Sequence, residues 1–311
     1  MNRIVVTGAA GQIGTEMVVA LRDRYGRDAV LATDIRIPEG ETGGPFALAD
    51  VTIGDSLDAA VARHQADTIF HLAAILSAVG EQRPQKTYEV NIGGLFNVLE
   101  VARARDCAVF TPSSIAAFGP GTPIDLTPQD TIQRPNTMYG VSKVAGELLC
   151  DYYHHRFGVD TRGVRYPGLV SWLTQPGGGT TDYAVEIYHH AVESGRYECF
   201  LGADTQLDMM YMPDAIRAAV ELMEADPSRL EHRNAFNIAA MQVTPASLAD
   251  SIRQHLPEFE ISYAVDPIRQ AIADSWPRHI DDSAARSEWG WVPAFDAASM
   301  TADMLSNLQA G

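Results

Sequence analysis

Along the first 170 residues, apolar positions fall into two alternating rhythms. Short β-branched runs alternate with longer stretches whose apolar residues recur at helical spacing. "RIVVTG" (3–8), "AVLATD" (29–34), "DTIFHLAA" (67–74), "CAVFTPSS" (107–114) and "VDTRGVRYPG" (159–168) read as strands, the last with its exit. Between them, "GQIGTEMVVALRDRYG" (11–26), "DSLDAAVARHQ" (55–65, capped by Asp55), "TYEVNIGGLFNVLEVARARD" (87–106) and "MYGVSKVAGELLCDYYHHRFG" (138–158) read as helices. Strands joined by crossover helices predict an α/β fold built on a doubly wound parallel sheet.

Beyond about residue 170 the rhythm breaks. "SWLTQPGGGTTDYAVEIYHHAVESG" (171–195) starts as a glycine-rich loop and turns into a helix, and "MPDAIRAAVELMEAD" (212–226) places Asp214 as an N-cap. "NAFNIAA" (234–240) reads as a lone strand that returns to the main sheet. "TPASLADSIRQHL" (244–256) has Thr244 at N-cap, Pro245 at N1, and Leu248, Ile252 and Leu256 at four-residue spacing. The expected organisation is a nucleotide-binding domain over 1–170 and a smaller, mixed substrate lobe over 171–311. A ligand is expected at the carboxyl ends of the parallel strands.

Composition narrows the function. With 311 residues and 46% apolar content the chain can bury a large core. The N-terminus runs directly into "RIVVTG" with no charged and apolar leader, and no apolar run reaches spanning length, so a cytoplasmic protein is expected, with no membrane partner. Cys107, Cys150 and Cys199 are widely spaced among apolar or aromatic neighbours, which suggests buried thiols rather than a disulfide framework or metal cluster. A formal net charge of −17 opposes nucleic-acid binding, so any bound anion must be held by local donors. Among the nine histidines, the pairs His154–His155 and His189–His190 are adjacent on helices and diverge around the axis; no metal is expected.

The sequence "VVTGAAGQIG" sets Gly8, Gly11 and Gly14 at three-residue spacing between a strand and a helix, with Gln12 and Ile13 at the helix start. Such a turn lets the backbone approach a pyrophosphate and offers it the helix N-terminus, as in Rossmann dinucleotide sites. Asp34 ends the second strand 20 residues after Gly14, where a carboxylate accepts from an adenosine ribose and repels a 2′-phosphate. NAD is therefore favoured over NADP, with Arg36 nearby as the dissenting residue. Asp50 and Val51, and Leu72, Ala73 and Ala74, follow strands on the same edge and are candidates for the adenine and phosphate side.

At the other end of the candidate site, Tyr139 and Lys143 are i and i+4 on one helix face. A free phenol, with a pKa of about 10, is a poor base near neutrality. A lysine cation and the positive charge of an oxidised nicotinamide favour the phenolate. Alone, this spacing is common on helix surfaces.

Together, Gly8/Gly11/Gly14, "TPSSIAAFG" (111–119) and "MYGVSK" (138–143) resemble the extended short-chain dehydrogenase/reductase superfamily, which includes nucleotide-sugar epimerases and dehydratases. The resemblance spans essentially the whole chain. It implies that Ser114 holds the reacting oxygen beside Tyr139 and Lys143, with Ser113 a structural neighbour. Asn91 matches the family's helix asparagine, architectural rather than catalytic and on the cofactor side, where Tyr166 is also expected. It further implies a homodimer seam formed by helices 87–106 and 138–157.

Sugar-nucleotide members usually carry an asparagine shortly after the "RY" strand; here Pro167 and Gly168 stand in that region of "RYPGLVSW". The stretches 164–191 and "AAILSAVGEQ" (73–82) instead resemble the short-chain L-threonine 3-dehydrogenases, which implies oxidation of the β-hydroxyl of L-threonine with NAD. A small zwitterion needs donors for its carboxylate, an acceptor for its ammonium and an apolar spot for its methyl. Ser77, Gly179, Thr180, Thr181 and Trp276 are the candidates, the glycine run being alternatively a plain lid and Trp276 alternatively core. The rival reading is a nucleotide-sugar epimerase or dehydratase that retains NAD. A third, a non-catalytic sensor on the same fold, commonly lacks the Tyr/Lys pair present here.

Overall fold

The structure is a computed structural model that describes residues 1–38, 42–174 and 179–310. Its backbone is the α/β doubly wound arrangement expected. β1 (Ile4–Thr7), β2 (Val30–Asp34), β3 (Phe46–Leu48), β4 (Thr68–His71) and β5 (Ala108–Phe110) join a sixth strand, Thr161–Arg162, in the order β3-β2-β1-β4-β5 and then Thr161–Arg162. Every pairing in this sheet is parallel, with Ile4 opposite both Val30 and Thr68. The strand order reverses at β1, which places β1, β2 and β4 at the switch point where such sheets bind ligands.

The crossover helices follow from the sequence with three differences. α1 (Gln12–Tyr25) buries Met17, Val18 and Leu21. α2 (Gly54–His64) begins upstream of Asp55, because Asp50 already builds the turn: its Oδ1 accepts from Thr52 N and Oγ1, and its carbonyl from Ile53 N. Asp55 therefore sits in the first turn and caps nothing. After the short α3 (Ser77–Gln82) and α4 (Pro84–Thr87), the single helix read over 87–106 is instead a π-helical turn, Tyr88–Gly93, leading into α5 (Gly94–Arg105). α6 (Met138–Phe157) matches its expected span, and Thr137 caps it by accepting from Gly140 N. Leu57 and Val61 of α2, Leu95, Val98 and Leu99 of α5 and Tyr153 of α6 pack with Ile69 and Val109 of the sheet in one buried cluster. Each such aliphatic side chain contributes about 1.5–3 kcal/mol of burial.

The "VDTRGVRYPG" strand breaks at Gly163. A Cβ there would lie 2.5 Å from Thr111 O, so the chain passes too close for any other residue. β6 (Ser113–Ser114) and β7, the Thr161–Arg162 strand already described, precede the break, and β8 (Val164–Tyr166) and β9 (Gly168–Val170) follow it. A separate three-stranded sheet has the order Phe236–Asn237, β8, β6. The strand read over 234–240 is thus only Phe236–Asn237, and it joins this small sheet rather than the six-stranded one.

The chain forms two compact units that interleave in sequence, where one boundary near residue 170 is expected. The first holds Met1–Ala117, Asn136–Arg165 and Ile216–Phe236; the second holds Phe118–Pro135, Tyr166–Ala215 and the chain from Asn237 onward. Residues 216–236 belong to the first because polar contacts bind them there. Arg24 pairs with Glu224, and Arg162 donates to the carbonyls of Leu222 and Ala225.

In the second unit, α7 (Tyr183–Glu193) precedes β10 (Arg196–Cys199), β11 (Leu207–Tyr211) and α8 (Met212–Glu224), whose later part belongs to the first unit. Asp214 lies inside α8 rather than at its cap; its carboxylate is drawn off to accept from Ala294 N and Phe295 N. With Phe236–Asn237 as β12, β13 (Met241–Val243) pairs antiparallel with β11, and β9 pairs parallel with it. Thr244 and Pro245 open α9 (Pro245–Arg253) as expected, in a reciprocal cap with Ser247. No helix among the described residues is long and apolar enough to cross a membrane.

Gly14 gives a direct test of the glycine turn. A Cβ at this position would lie 2.1 Å from Gly8 O and 2.8 Å from Ala9 Cα, both backbone atoms that cannot rotate away. Gly14→Ala is expected to lower the free energy of unfolding by about 1–3 kcal/mol, the range for overpacking, as read by urea denaturation.

Candidate functional site

The glycine turn sits at the carboxyl end of β1. Gly8 adopts φ +69°, and a Cβ on it would meet Ala73 N at 2.6 Å, so the loop after β4 runs directly past it. Leu72 N donates to Thr7 O, and Asn91 fixes the far end of that loop by accepting from Ile75 N and donating to Ile75 O. The π-helical turn is what carries Asn91 inward, and its Nδ2 also donates to Ser142 Oγ on α6. No side chain caps the start of α1 and no acidic residue occupies its first turn, so Gln12 and Ile13 stand at a helix N-terminus open to a phosphate. Asp34 Oδ2 accepts from Ala10 N and Oδ1 from Arg36 N, which holds the carboxylate over the turn, and Arg36 Nη2 reaches Ala10 O at 3.4 Å. Val51 is buried, its Cγ2 2.8 Å from where a Gly94 Cβ would stand. These residues fit a dinucleotide.

Two further polar groups close the base of the sheet end. His71 is buried, its Nδ1 2.8 Å from Thr7 Oγ1. Burial, and secondarily the charge of Lys143, push its pKa from 6.5 down to about 3, so it is neutral at working pH.

Tyr139 lies in the first turn of α6. That turn is fixed by Thr137 and by Glu81 of α3, whose Oε1 accepts from Met138 N at 2.6 Å. Three successive residues of the β5–β6 segment then engage this one helix face. Pro112 O accepts from Lys143 Nζ at 2.7 Å, Ser113 Oγ donates to Glu147 Oε1, and the Ser114 side chain hydrogen-bonds Tyr139. The Lys143 ammonium is 5.3 Å from the Tyr139 ring centroid.

Tyr139 and Lys143 keep partial solvent access, yet enough protein surrounds them that burial governs their titration. Burial pushes the Tyr139 phenol up to about 12, against a lowering by the Ser114 hydrogen bond. Burial also lowers Lys143 to about 8, opposed by the Glu147 carboxylate and then Cys150. At the phenol, desolvation outweighs the single hydrogen bond. Beneath the pair, Glu147 is buried and bridged to Arg165, Oε1 to Nε at 3.0 Å and Oε2 to Nη2 at 2.8 Å. Removing one partner of such a pair typically costs about 3–5 kcal/mol. A cavity of about 30 Å³, lined by His71, Asn91, Ser113, Lys143, Glu147 and Cys150 among others, lies against these groups.

The first unit thus brings together Gly8, Gly11, Gln12, Ile13, Asp34, Asp50, Val51, Leu72, Ala73, Ala74, Ser77, Asn91, Ser114, Tyr139 and Lys143. Ser77 is buried at the start of α3. Tyr166, Gly179, Thr180, Thr181 and Trp276 belong to the second unit. Tyr166 is buried with its hydroxyl donating to Ala215 O. Gly179 N donates to Asp182 Oδ2, Thr180 is buried, and Thr181 packs against Gly168. Gly177 and Gly178, the rest of the proposed donor run, lie outside the described residues. Trp276 is 7% exposed, more core than open wall in this structure. Sequence reasoning missed Glu81 and the Glu147–Arg165 pair. Glu147 was findable, as a carboxylate at i+4 from Lys143 on the same helix face. Among the described residues, no cluster of three or more potential ligands could hold a metal.

A parallel sheet with a glycine turn and a carboxylate held over that turn at its switch point defines a dinucleotide-binding protein. Residues 4–239 match the NAD dependent epimerase/dehydratase family, and the chain belongs to it; its cofactor is NAD. An uncharacterized epimerase/dehydratase of Staphylococcus haemolyticus is 55% identical over 312 aligned residues, 99% of this chain and 98% of the relative. Among solved structures, the L-threonine dehydrogenase of Clostridium difficile is 53% identical with a TM-score of 0.98, covering 100% of this chain and 98% of that one. A monomeric L-threonine 3-dehydrogenase from a metagenome, in its apo form, is 46% identical with a TM-score of 0.96, covering 99% of each chain.

The His71 environment has a thermodynamic signature. Its folded pKa lies below the unfolded value, so its contribution to stability is fully present above pH 6.5 and is lost as pH falls toward about 3. Over that window one proton is taken up on unfolding, at most about 1.4 kcal/mol per pH unit. His71→Gln is expected to flatten the acid limb of unfolding free energy against pH, measured by denaturant titration.

Proposed function

We propose that the protein oxidises the β-hydroxyl of L-threonine to 2-amino-3-ketobutyrate with NAD. The observation that carries this reading is the near-complete match to the Clostridium difficile L-threonine dehydrogenase, at 53% identity and a TM-score of 0.98. Pro167 and Gly168, in place of a diphosphate-binding polar residue, favour the small amino acid over a sugar nucleotide.

In this reading Gly8, Gly11, Gln12, Ile13, Asp34, Asp50, Val51, Leu72, Ala73, Ala74, Asn91 and Tyr166 hold the cofactor, with Tyr139 and Lys143 at its reactive end. When bound, NAD supplies the two-electron acceptor. Ser114 holds the substrate oxygen, and Tyr139 takes the hydroxyl proton as a phenolate. Without cofactor, Tyr139 near 12 is a protonated phenol at neutrality, so the base forms only in the cationic surroundings of the loaded site. Ser77, Gly179, Thr180, Thr181 and Trp276 are proposed for the carboxylate, ammonium and methyl of the substrate. Three buried free cysteines suit a reducing compartment, and the cytoplasm is the proposed location.

The test is NADH absorbance with L-threonine, set beside L-serine, L-allo-threonine and UDP-galactose. Steady NADH formation with L-threonine supports the proposal; a converted UDP-sugar with retained NAD overturns it. Tyr139→Phe is expected to bind NAD as before and lose ~10²-fold in turnover.

We also propose a homodimer. α5 and α6 expose Phe96, Val141, Leu148 and Tyr152, at 44–62% of their surface, a concentration of apolar groups suited to a second copy. Light scattering is expected to give twice the chain mass. A particle of single-chain mass, as in the monomeric metagenomic relative, overturns it.

A further inference from the structure

We propose that Glu147, clamped by Arg165 and Ser113, is a positioning residue that keeps Lys143 cationic and thereby decides where the proton of the Tyr139/Lys143 pair resides. The inference rests on the catalytic roles proposed above and adds a group that touches neither substrate nor cofactor.

Phenolate with lysine cation, and phenol with neutral lysine, hold the same number of protons; only the first can accept a proton from a substrate hydroxyl. Which form prevails depends on the field at Lys143. Facing it from α6 are Tyr139, Glu147 and Cys150; from β4, His71; from the π-helical turn, Asn91; from the β5–β6 segment, Pro112 O and Ser113; and Arg165 of β8 lies behind Glu147. His71 is held neutral, and burial pushes the Cys150 thiol up, so it is neutral too. Glu147 is left as the carboxylate that opposes the burial of Lys143, and it leads the groups that hold its proton on.

The clamp fixes where this carboxylate stands. Two donors from Arg165 and one from Ser113 occupy its oxygens and hold it against the Lys143 face of α6. Its position follows from the same contacts: residues 112, 113 and 114 engage Lys143, Glu147 and Tyr139, so one short segment ties the carboxylate to the pair.

Two variants test this, Glu147→Gln and Glu147→Gln/Arg165→Met, each also made with Tyr139→Phe as its blank. Phenolate formation is followed by ultraviolet difference absorbance of the NAD-bound protein against pH, which needs no substrate. The pH profiles of kcat and KM with L-threonine are measured beside it. In Glu147→Gln, which also strands the Arg165 cation, the Tyr139 signal is expected about one pH unit higher or more, with kcat near neutrality about tenfold lower and KM little changed. The double variant, with the stranded cation gone, is expected to fall between Glu147→Gln and the parent. Should Glu147→Gln fail to fold, the double variant decides alone: displacement of its Tyr139 signal to higher pH than the parent supports the proposal, and displacement to lower pH overturns it. An unmoved Tyr139 titration in a folded variant overturns it, as does a kcat lowered equally at every pH. If L-threonine proves not to be the substrate, the absorbance titration still reads the Glu147 effect, so the two failures are told apart.

Discussion

The structure turns on the registration of one strand segment against one helix face. Pro112, Ser113 and Ser114 are consecutive, and they engage Lys143, Glu147 and Tyr139, residues spaced by one and two helical turns. The contacts do not step in order along the helix, so they mark a short crossing rather than a shared repeat. Everything that positions the crossing then acts on the chemistry. Thr137 and Glu81 fix the first turn of α6, and the tight pass at Gly163 brings the β8 strand, with Arg165, behind it.

Burial works against the reactive groups as much as for them. Desolvation raises the phenol and lowers the ammonium, which favours the neutral pair and opposes a base. The buried Glu147–Arg165 bridge is an expensive element in its own right, since buried ion pairs seldom add net stability. Glu147 stands one turn from Lys143 on α6, so the bridge fixes a carboxylate beside the ammonium.

The parallel sheet, its crossover helices and the glycine turn were legible because each rests on local pattern: β-branched runs, helical spacing, and three glycines between a strand and a helix. Thr244 and Pro245 announced their helix for the same reason. What escaped was nonlocal. Asp214 reads as a cap until the backbone of Ala294 and Phe295, 80 residues away, takes its carboxylate. The two units interleave because Arg162 and Arg24 bind residues 216–236 back to the first, contacts that no window of sequence contains. At the site, Tyr139 and Lys143 stood out by spacing, whereas the clamp on Glu147 needed Arg165 and Ser113 from other strands. The glycine-rich stretch, read as a donor loop, is described only from Gly179 onward.

The π-helical turn at Tyr88–Gly93 acts as a phase adaptor in an otherwise ordinary helix. Widening one turn by a residue rotates everything after it by about a hundred degrees relative to what precedes it. The face that starts at Pro84 is thereby decoupled from the one that α5 presents to the sheet, and Asn91 is spared from serving either period. The insertion is also why a continuous apolar rhythm across residues 87–106 describes the two halves better than it describes their junction.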